Sequence, residues 1–259
     1  MFIKIDDIKI PELSIFASLR ENSFKADNSF IADSPKVVNL ILESDIEVKS
    51  ILATKEYYEE NTTLVSSKNI PYKYLTTKEQ MQKIVGHKIH HNCMLHGIRP
   101  HNIEMNNLSQ HAVLLDGITS SENVGSIVRS CVALGVDSLL LPKETPHPFN
   151  RRALRVSMGH ASLINTHIYD DLKTSILTLK KLGYTIYAAE VTPTSTPLSQ
   201  VQVTDKWVLI LGHEGKGIQK EILNLCDEVV TIEMQEGIKS FNVSVAAAII
   251  LYRFTKVTC

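Results

Sequence analysis

The 259-residue chain has no C-x-x-C pair, no apolar run of membrane length and almost no net charge. Each absence closes a class of reading. The four cysteines, Cys93, Cys131, Cys226 and Cys259, stand far apart, which argues for reduced thiols rather than a disulfide framework. The longest apolar run, around Val243 to Tyr252, falls well short of the roughly 20 residues that span a bilayer. The first residues lack a charged-then-apolar leader pattern, so the expectation is a cytoplasmic protein without membrane association. With 27 Lys and Arg against 28 Asp and Glu, the global field does not draw in nucleic acid. Any RNA-binding surface must be a local patch. Internal repeats and low-complexity tracts are also missing.

What is present falls into two textures. Residues 1 to about 105 are charge-rich and mix strand-like runs (FIAD, VKSILAT, YKYLT) with helical ones (PKVVNLILES, KEQMQKIVG). From about residue 109 a regular alternation begins. HAVLLDGI, VDSLLLP, YTIYAAEV, WVLILG and EVVTIEM read as strands. ENVGSIVRSCVALG, DDLKTSILTLKKLG, KGIQKEILNLC and the run from Val243 read as helices. Strands alternating with helices predict an α/β fold with a parallel sheet covered on both faces, and continuous apolar strands such as WVLIL fit that burial. The polar stretch 98–110 is the linker candidate, dividing a domain over 1–105 from one over 106–259.

In such sheets ligands sit beyond the carboxyl ends of the strands. Four junctions qualify: DGITSSENVGSIVR, AAEVTPTSTP, LGHEGKGIQ and EMQEGIKSFN. On a helix from about Glu122, Val124, Ile127, Val128, Cys131 and Leu134 form the apolar stripe. The other face sets Arg129 among Gly125, Ser126 and Ala133, either as an ordinary surface arginine or against a partner. LGHEGKGIQ is not a Walker loop. Two residues rather than four separate Gly212 from Gly215-Lys216, and Gly217 stands where Ser or Thr is required. Glu214 there also suits the N-terminal end of a helix. Arg151, Arg152 and Arg155 cluster in NRRALRVSMGH, a composition suited to RNA phosphates or to a solvated helix face. His87, His90, His91, His96 and His101 match no zinc spacing, so no metal site is expected. In KSFNVSVAAAIILYRF, Ser240, Asn242 and Ser244 sit at the mouth of an apolar helix that reads as buried all round. Asn242 can cap that helix, face a ligand, or do both.

Taken in order, N-V-G-S-I-V-R, G-H-E-G-K-G and S-F-N-V-S-V-A resemble the three signature motifs of the SpoU (TrmH) family of RNA ribose 2′-O-methyltransferases, across residues 111–254. FNRRALRVSMG is similar to the family's stretch after the second strand. FIADSPKVVNLILES and HHNCMLHGIRP are similar to the ribosomal-protein-like RNA-binding domain that many members carry in front. The resemblance implies an α/β trefoil knot, an S-adenosylmethionine cofactor, an rRNA or tRNA substrate and a homodimer. It places Asn123, Arg129, Glu214, Ser240 and Asn242 in the catalytic set. Glu190, Val191, Gly212, Gly217, Ile232, Met234 and Phe241 are expected at the cofactor, and the basic run Arg151, Arg152 and Arg155, from its own chemistry, at the RNA. A guanidinium is effectively always protonated, so Arg129 would hold phosphate and steady an alkoxide rather than act as a base. The chain departs from the family pattern at Glu233, where proline is usual, at Phe241, where leucine is usual, and in the placing of Gly237. A non-catalytic RNA-binding protein on the same scaffold is the alternative; it would have lost Arg129 or Asn242, and both are present.

Overall fold

The run WVLIL is buried at every position, as a strand covered on both faces must be. The computed structural model describes residues 2–17, 27–238 and 240–255, so Cys259 lies outside the described residues. Cys93, Cys131 and Cys226 are free thiols. The chain divides into two compact units. The first is Met1–His101 with Phe149–Ser162, and the second is Asn102–Pro148 with Leu163–Cys259.

The first unit holds β1 (Ile3–Lys4), β2 (Ser29–Asp33), β3 (Glu47–Ala53), β4 (Tyr72–Leu75) and β5 (Cys93–Ile98), ordered β1-β4-β3-β5-β2. The β1–β4 and β4–β3 pairs are parallel, whereas β5 runs antiparallel to both β3 and β2. Its helices are α1 (Ser14–Ala17), α2 (Pro35–Glu43), α3 (Lys55–Glu60), α4 (Thr62–Ser67) and α5 (Lys78–Val85). Local chemistry sets the ends of α5. Thr77 and Gln80 form a reciprocal capping box, and Gly86 closes the helix with φ 76°, a left-handed conformation that glycine adopts without strain. Phe16, Ile31, Leu52, Tyr74, Met81 and Met94 pack the core of this unit. The short α7 (Arg151–Val156), capped by Asn150, packs on β2.

The second unit holds β6 (His111–Leu115), β7 (Ser138–Pro142), β8 (Asn165–Tyr169), β9 (Thr185–Ala189), β10 (Thr196–Pro197), β11 (Trp207–Leu211) and β12 (Glu228–Thr231). Their order is β10-β12-β9-β11-β6-β7-β8, and every neighbouring pair is parallel. Side chains alternate across a strand, so the sheet needs two covers. Leu114, Leu140, Ile186, Val208 and Ile210 pack against Ile176 and Leu179 of α8 (Leu172–Lys181) and Ile222 of α9 (Lys220–Leu223). Tyr187 and Trp207 face the other way and meet Phe254 edge-on at ring distances of 4.9 and 5.3 Å. Phe254 belongs to α10 (Val243–Thr255), which lies on α6 (Ser121–Ala133).

Three expectations change here. First, the polar stretch 98–110 is no free linker from Asn102 onward. Ile103 N–H donates to Thr166 O (2.8 Å), His167 Nδ1 donates to Ile103 O (2.8 Å), and Thr166 Oγ1 donates to Asn102 Oδ1 (3.0 Å), which fastens the stretch to β8. Second, the apolar last helix is not buried all round, since Val245 is 45% and Tyr252 72% exposed. Third, the helical pattern KGIQKEILNLC yields only Lys220–Leu223, because Gly217 takes φ 64° and turns the chain before the helix begins.

Candidate functional site

The chain leaves β6 toward β7 and β8 on one side of the sheet, while β11, β9 and β12 lie on the other. Such a reversal opens a crevice at the carboxyl ends of the strands. A cleft of about 740 Å³ lies there, walled by the segments that follow β9, β11 and β12 and by the start of α10. Its size is that of a small-molecule pocket.

The loop after β11 is shaped by its glycines and by His213. A Cβ at Gly212 would lie 2.9 Å from both Gly217 C and Ile218 N, so only glycine lets the two ends of the loop close. His213 Nδ1 accepts from Gly215 N–H (2.9 Å) and Lys216 N–H (3.2 Å), which puts a neutral ring's proton on Nε2. Gly217 N–H returns to His213 O (2.9 Å). Glu190, just past β9, accepts Ile218 N–H on Oε2 (2.8 Å) and Val191 N–H on Oε1 (3.0 Å). One carboxylate thus ties two walls of the cleft together.

Side chains from the three sequence motifs meet at one end. Asn123 Nδ2 donates to Glu214 Oε1 (2.8 Å), and Asn242 Nδ2 donates to Asn123 Oδ1 (3.1 Å). Asn242 Oδ1 accepts from Ser244 N–H (2.9 Å) and Ser244 Oγ (2.7 Å), capping α10. Asn242 therefore caps the helix and joins the site at once. Asn123 is placed by its own helix start, where its N–H donates to Ser120 Oγ (3.3 Å). Glu214, whose alternatives are a helix-start acid and a member of the catalytic set, spends its carboxylate on Asn123, 91 residues away in sequence.

The remaining candidates separate. Ser240, Phe241, Ile232, Met234, Val191, Gly212 and Gly217 line the cleft, with Glu190, Glu214 and Asn242. Arg129 does not. It is exposed, and it makes no hydrogen bond or ion pair among the described residues. Six residues along α6 from Asn123 amounts to roughly 9 Å of rise and about 120° of azimuth, so one helix cannot aim both at one point. Glu233, the residue in place of proline, turns outward: its Oε1 accepts Ser199 N–H (3.2 Å), and the Ser199 side chain, followed by Glu233's own backbone N–H, holds its carboxyl below the ordinary value. The displaced Gly237 takes φ 85° in a turn before Ser240. Arg151 and Arg155 are paired with Asp33 in the first unit rather than free on a helix face. Reading the motifs had passed over His213 and Lys216, although both stand inside G-H-E-G-K-G. Asp116 was missed as well. It follows β6, and its burial raises its carboxyl pKa while His213 opposes the shift.

The model of the SpoU rRNA Methylase family matches residues 110–252, more than half of the chain. An uncharacterised tRNA/rRNA methyltransferase of Mycobacterium bovis is 28% identical over 232 residues, 87% of this chain and 80% of that one. The 23S rRNA (guanosine-2′-O-)-methyltransferase RlmB of Vibrio parahaemolyticus is 30% identical over 151 residues, 56% of this chain and 60% of that one. Among solved structures, an AdoMet-bound rRNA methyltransferase of Sinorhizobium meliloti superposes with a TM-score of 0.86 at 18% identity, covering 98% of each chain.

Proposed function

Because the chain belongs to the SpoU rRNA Methylase family, we propose that it transfers a methyl group from S-adenosylmethionine to a ribose 2′-hydroxyl of rRNA or tRNA. The observation that carries this is the hydrogen-bonded run Glu214–Asn123–Asn242–Ser244 at the mouth of the glycine-shaped cleft. It joins all three motifs from positions 119 and 91 residues apart. A relative named for the same reaction and an AdoMet-bound neighbour of the same fold support the reading.

The residues present fit the cofactor. The cleft has the volume, and Gly212 and Gly217 leave backbone bare on its wall, where a ligand can approach closely. Ile232, Met234 and Phe241 supply the apolar lining, with Glu190 and Val191 shaping the opposite side. When bound, the sulfonium supplies an electrophilic methyl group. The chain's own residues position the ribose. Asn123 and Asn242 hold each other's amides rigid, and Ser240 adds a hydroxyl at the same mouth. Arg129, a permanent cation, would hold phosphate and steady the negative charge that develops on the ribose oxygen.

Arg129 reaches that role from a second copy of the chain. It is exposed and not among the residues lining the cleft of its own subunit, and α10 carries an uncovered apolar stripe of Val245 and Tyr252. A stripe of that kind suits a homodimer interface. We read α10, last in the chain yet packed on α6, as the threaded segment of a trefoil knot. Among the described residues no helix is long and apolar enough to cross a membrane, and we place the enzyme in the cytoplasm with its RNA. Within the first unit, we keep the basic run Arg151, Arg152 and Arg155 for contact with RNA.

The test pairs binding with chemistry. Calorimetry with S-adenosylhomocysteine in chelator should show one site per chain, and 2′-O-methyl mapping should find one RNA position lost when the gene is deleted. Absence of both would remove the proposal.

A further inference from the structure

In the first unit, α7 brings two guanidiniums onto one carboxylate. Asp33 Oδ2 accepts from Arg151 Nε (2.7 Å) and an Arg155 terminal nitrogen (2.5 Å), and Asp33 Oδ1 accepts from Arg155 Nε (3.1 Å). A terminal nitrogen of Arg151 meets the same Oδ2. The Asp33 side chain is 4% exposed, that of Arg151 20% and that of Arg155 38%. One carboxylate cancels one guanidinium. The cluster therefore keeps a surplus positive charge in a partly desolvated place, which is costly unless another anion shares it.

The same residues wall a cavity of about 180 Å³, completed by Lys88, His90 and His91. Lys88 adds a second cation, which meets no carboxylate among the described residues. Both Asp33 oxygens are occupied, so the charged groups left to meet a ligand are all donors. Each arginine also keeps guanidinium N–H groups with no acceptor among the described residues. A fixed guanidinium fork matches the geometry of a phosphate oxyanion. The cavity is too small for a nucleoside and large enough for one tetrahedral anion.

We propose that this cavity binds a phosphate oxyanion, and that in function a backbone phosphate of the substrate RNA fills it. The oxyanion chemistry stands on Asp33, Arg151, Arg155 and Lys88 alone; its assignment to RNA rests on the function proposed above. Asp33 is then the positioning residue, holding both forks in place before the RNA arrives. Such a contact fixes register without reading sequence.

The experiment uses the full chain with labelled histidines. Inorganic phosphate at millimolar concentration should shift the ring resonances of His90 and His91, and Lys88→Gln should weaken that effect several-fold. RNA should displace the phosphate. Lys88→Gln should also lower the salt slope of RNA binding by about one, with affinity for S-adenosylhomocysteine unchanged. Histidine signals that ignore phosphate would overturn the site. Signals that respond to phosphate but not to RNA, with an unaltered salt slope, would overturn the RNA assignment. Failure of cofactor binding alone would count against the proposed function and leave the oxyanion site standing.

Discussion

The two units use their polar side chains in opposite ways. In the first, Asp33 is buried and its partners close on it from a segment more than a hundred residues away, so charge holds the fold together. In the second, Asn123, Glu214 and Asn242 bond to one another at the open mouth of a cleft, and the core of that unit is a cluster of apolar side chains. A buried ion pair contributes stability that is lost when one partner goes. An exposed amide chain contributes little stability and a great deal of geometry. Changes in the first unit should therefore register in unfolding, and changes at the cleft in chemistry.

The sharpest break of this contrast is Arg129→Ala. Methyl transfer should fall by about a thousandfold, as for a lost transition-state donor, while cofactor affinity stays within a few-fold. If Arg129 serves the partner's cleft, mixing Arg129→Ala with Asn242→Ala should restore about a quarter of wild-type activity, since random pairing leaves one good site in half the dimers. No recovery on mixing would return Arg129 to its own subunit. Next in size, Asn123→Ala and Asn242→Ala should each cost about a hundredfold in methyl transfer, and the double variant little more, because members of one network are not additive. Their melting temperatures should hardly move. A large loss of stability in either would place the pair with the structural polar groups.

The cleft was legible because its parts are local. G-H-E-G-K-G bends where glycines permit it, and Asn242 announces a helix start by its position before an apolar run. Burial on both faces explains why WVLIL and HAVLL read so plainly as strands. What stayed hidden depends on distance. Nothing near Asp33 marks Arg151 and Arg155 as its partners, and so 149–162 read as part of the second half although they join the first unit. The exposed face of α10 was hidden for another reason. Val245 and Tyr252 are apolar whether they meet the core or a second chain, and composition does not distinguish the two.

A smaller effect is expected at Asp33. Burial alone would raise its carboxyl pKa, but the hydrogen bond from Arg155 and the charge of Arg151 outweigh that and hold it below the ordinary value. Its stabilising contribution is therefore complete above the unfolded-state pKa near 3.8 and is lost as pH falls below it. At neutral pH, Asp33→Asn should destabilise the protein by about 2–3 kcal/mol, less than a fully buried pair because Arg155 is partly solvated. Cofactor affinity should not change. A variant that melts like the wild type would show that the clamp is maintained for its ligand and not for the fold.

The smallest effect tests whether the cleft's own geometry is as exacting as this contrast requires. Gly217 takes φ 64°, and a Cβ there would run into the Glu190 carboxylate that holds Ile218 N–H. Gly217→Ala must therefore bear left-handed strain of about 1–2 kcal/mol and also push Glu190 off one wall of the cleft. Cofactor affinity should drop about tenfold, the equivalent of 1.4 kcal/mol, with a shift in melting temperature of only a few degrees. Gly215 is the control. A Cβ there finds the His213 ring at 3.7 Å, an ordinary contact, and no positive φ opposes it. Gly215→Ala should bind cofactor as the wild type does. Calorimetry on the two variants separates the cases, and equal losses at both positions would mean that the loop tolerates no side chain anywhere and that Glu190 is not its latch.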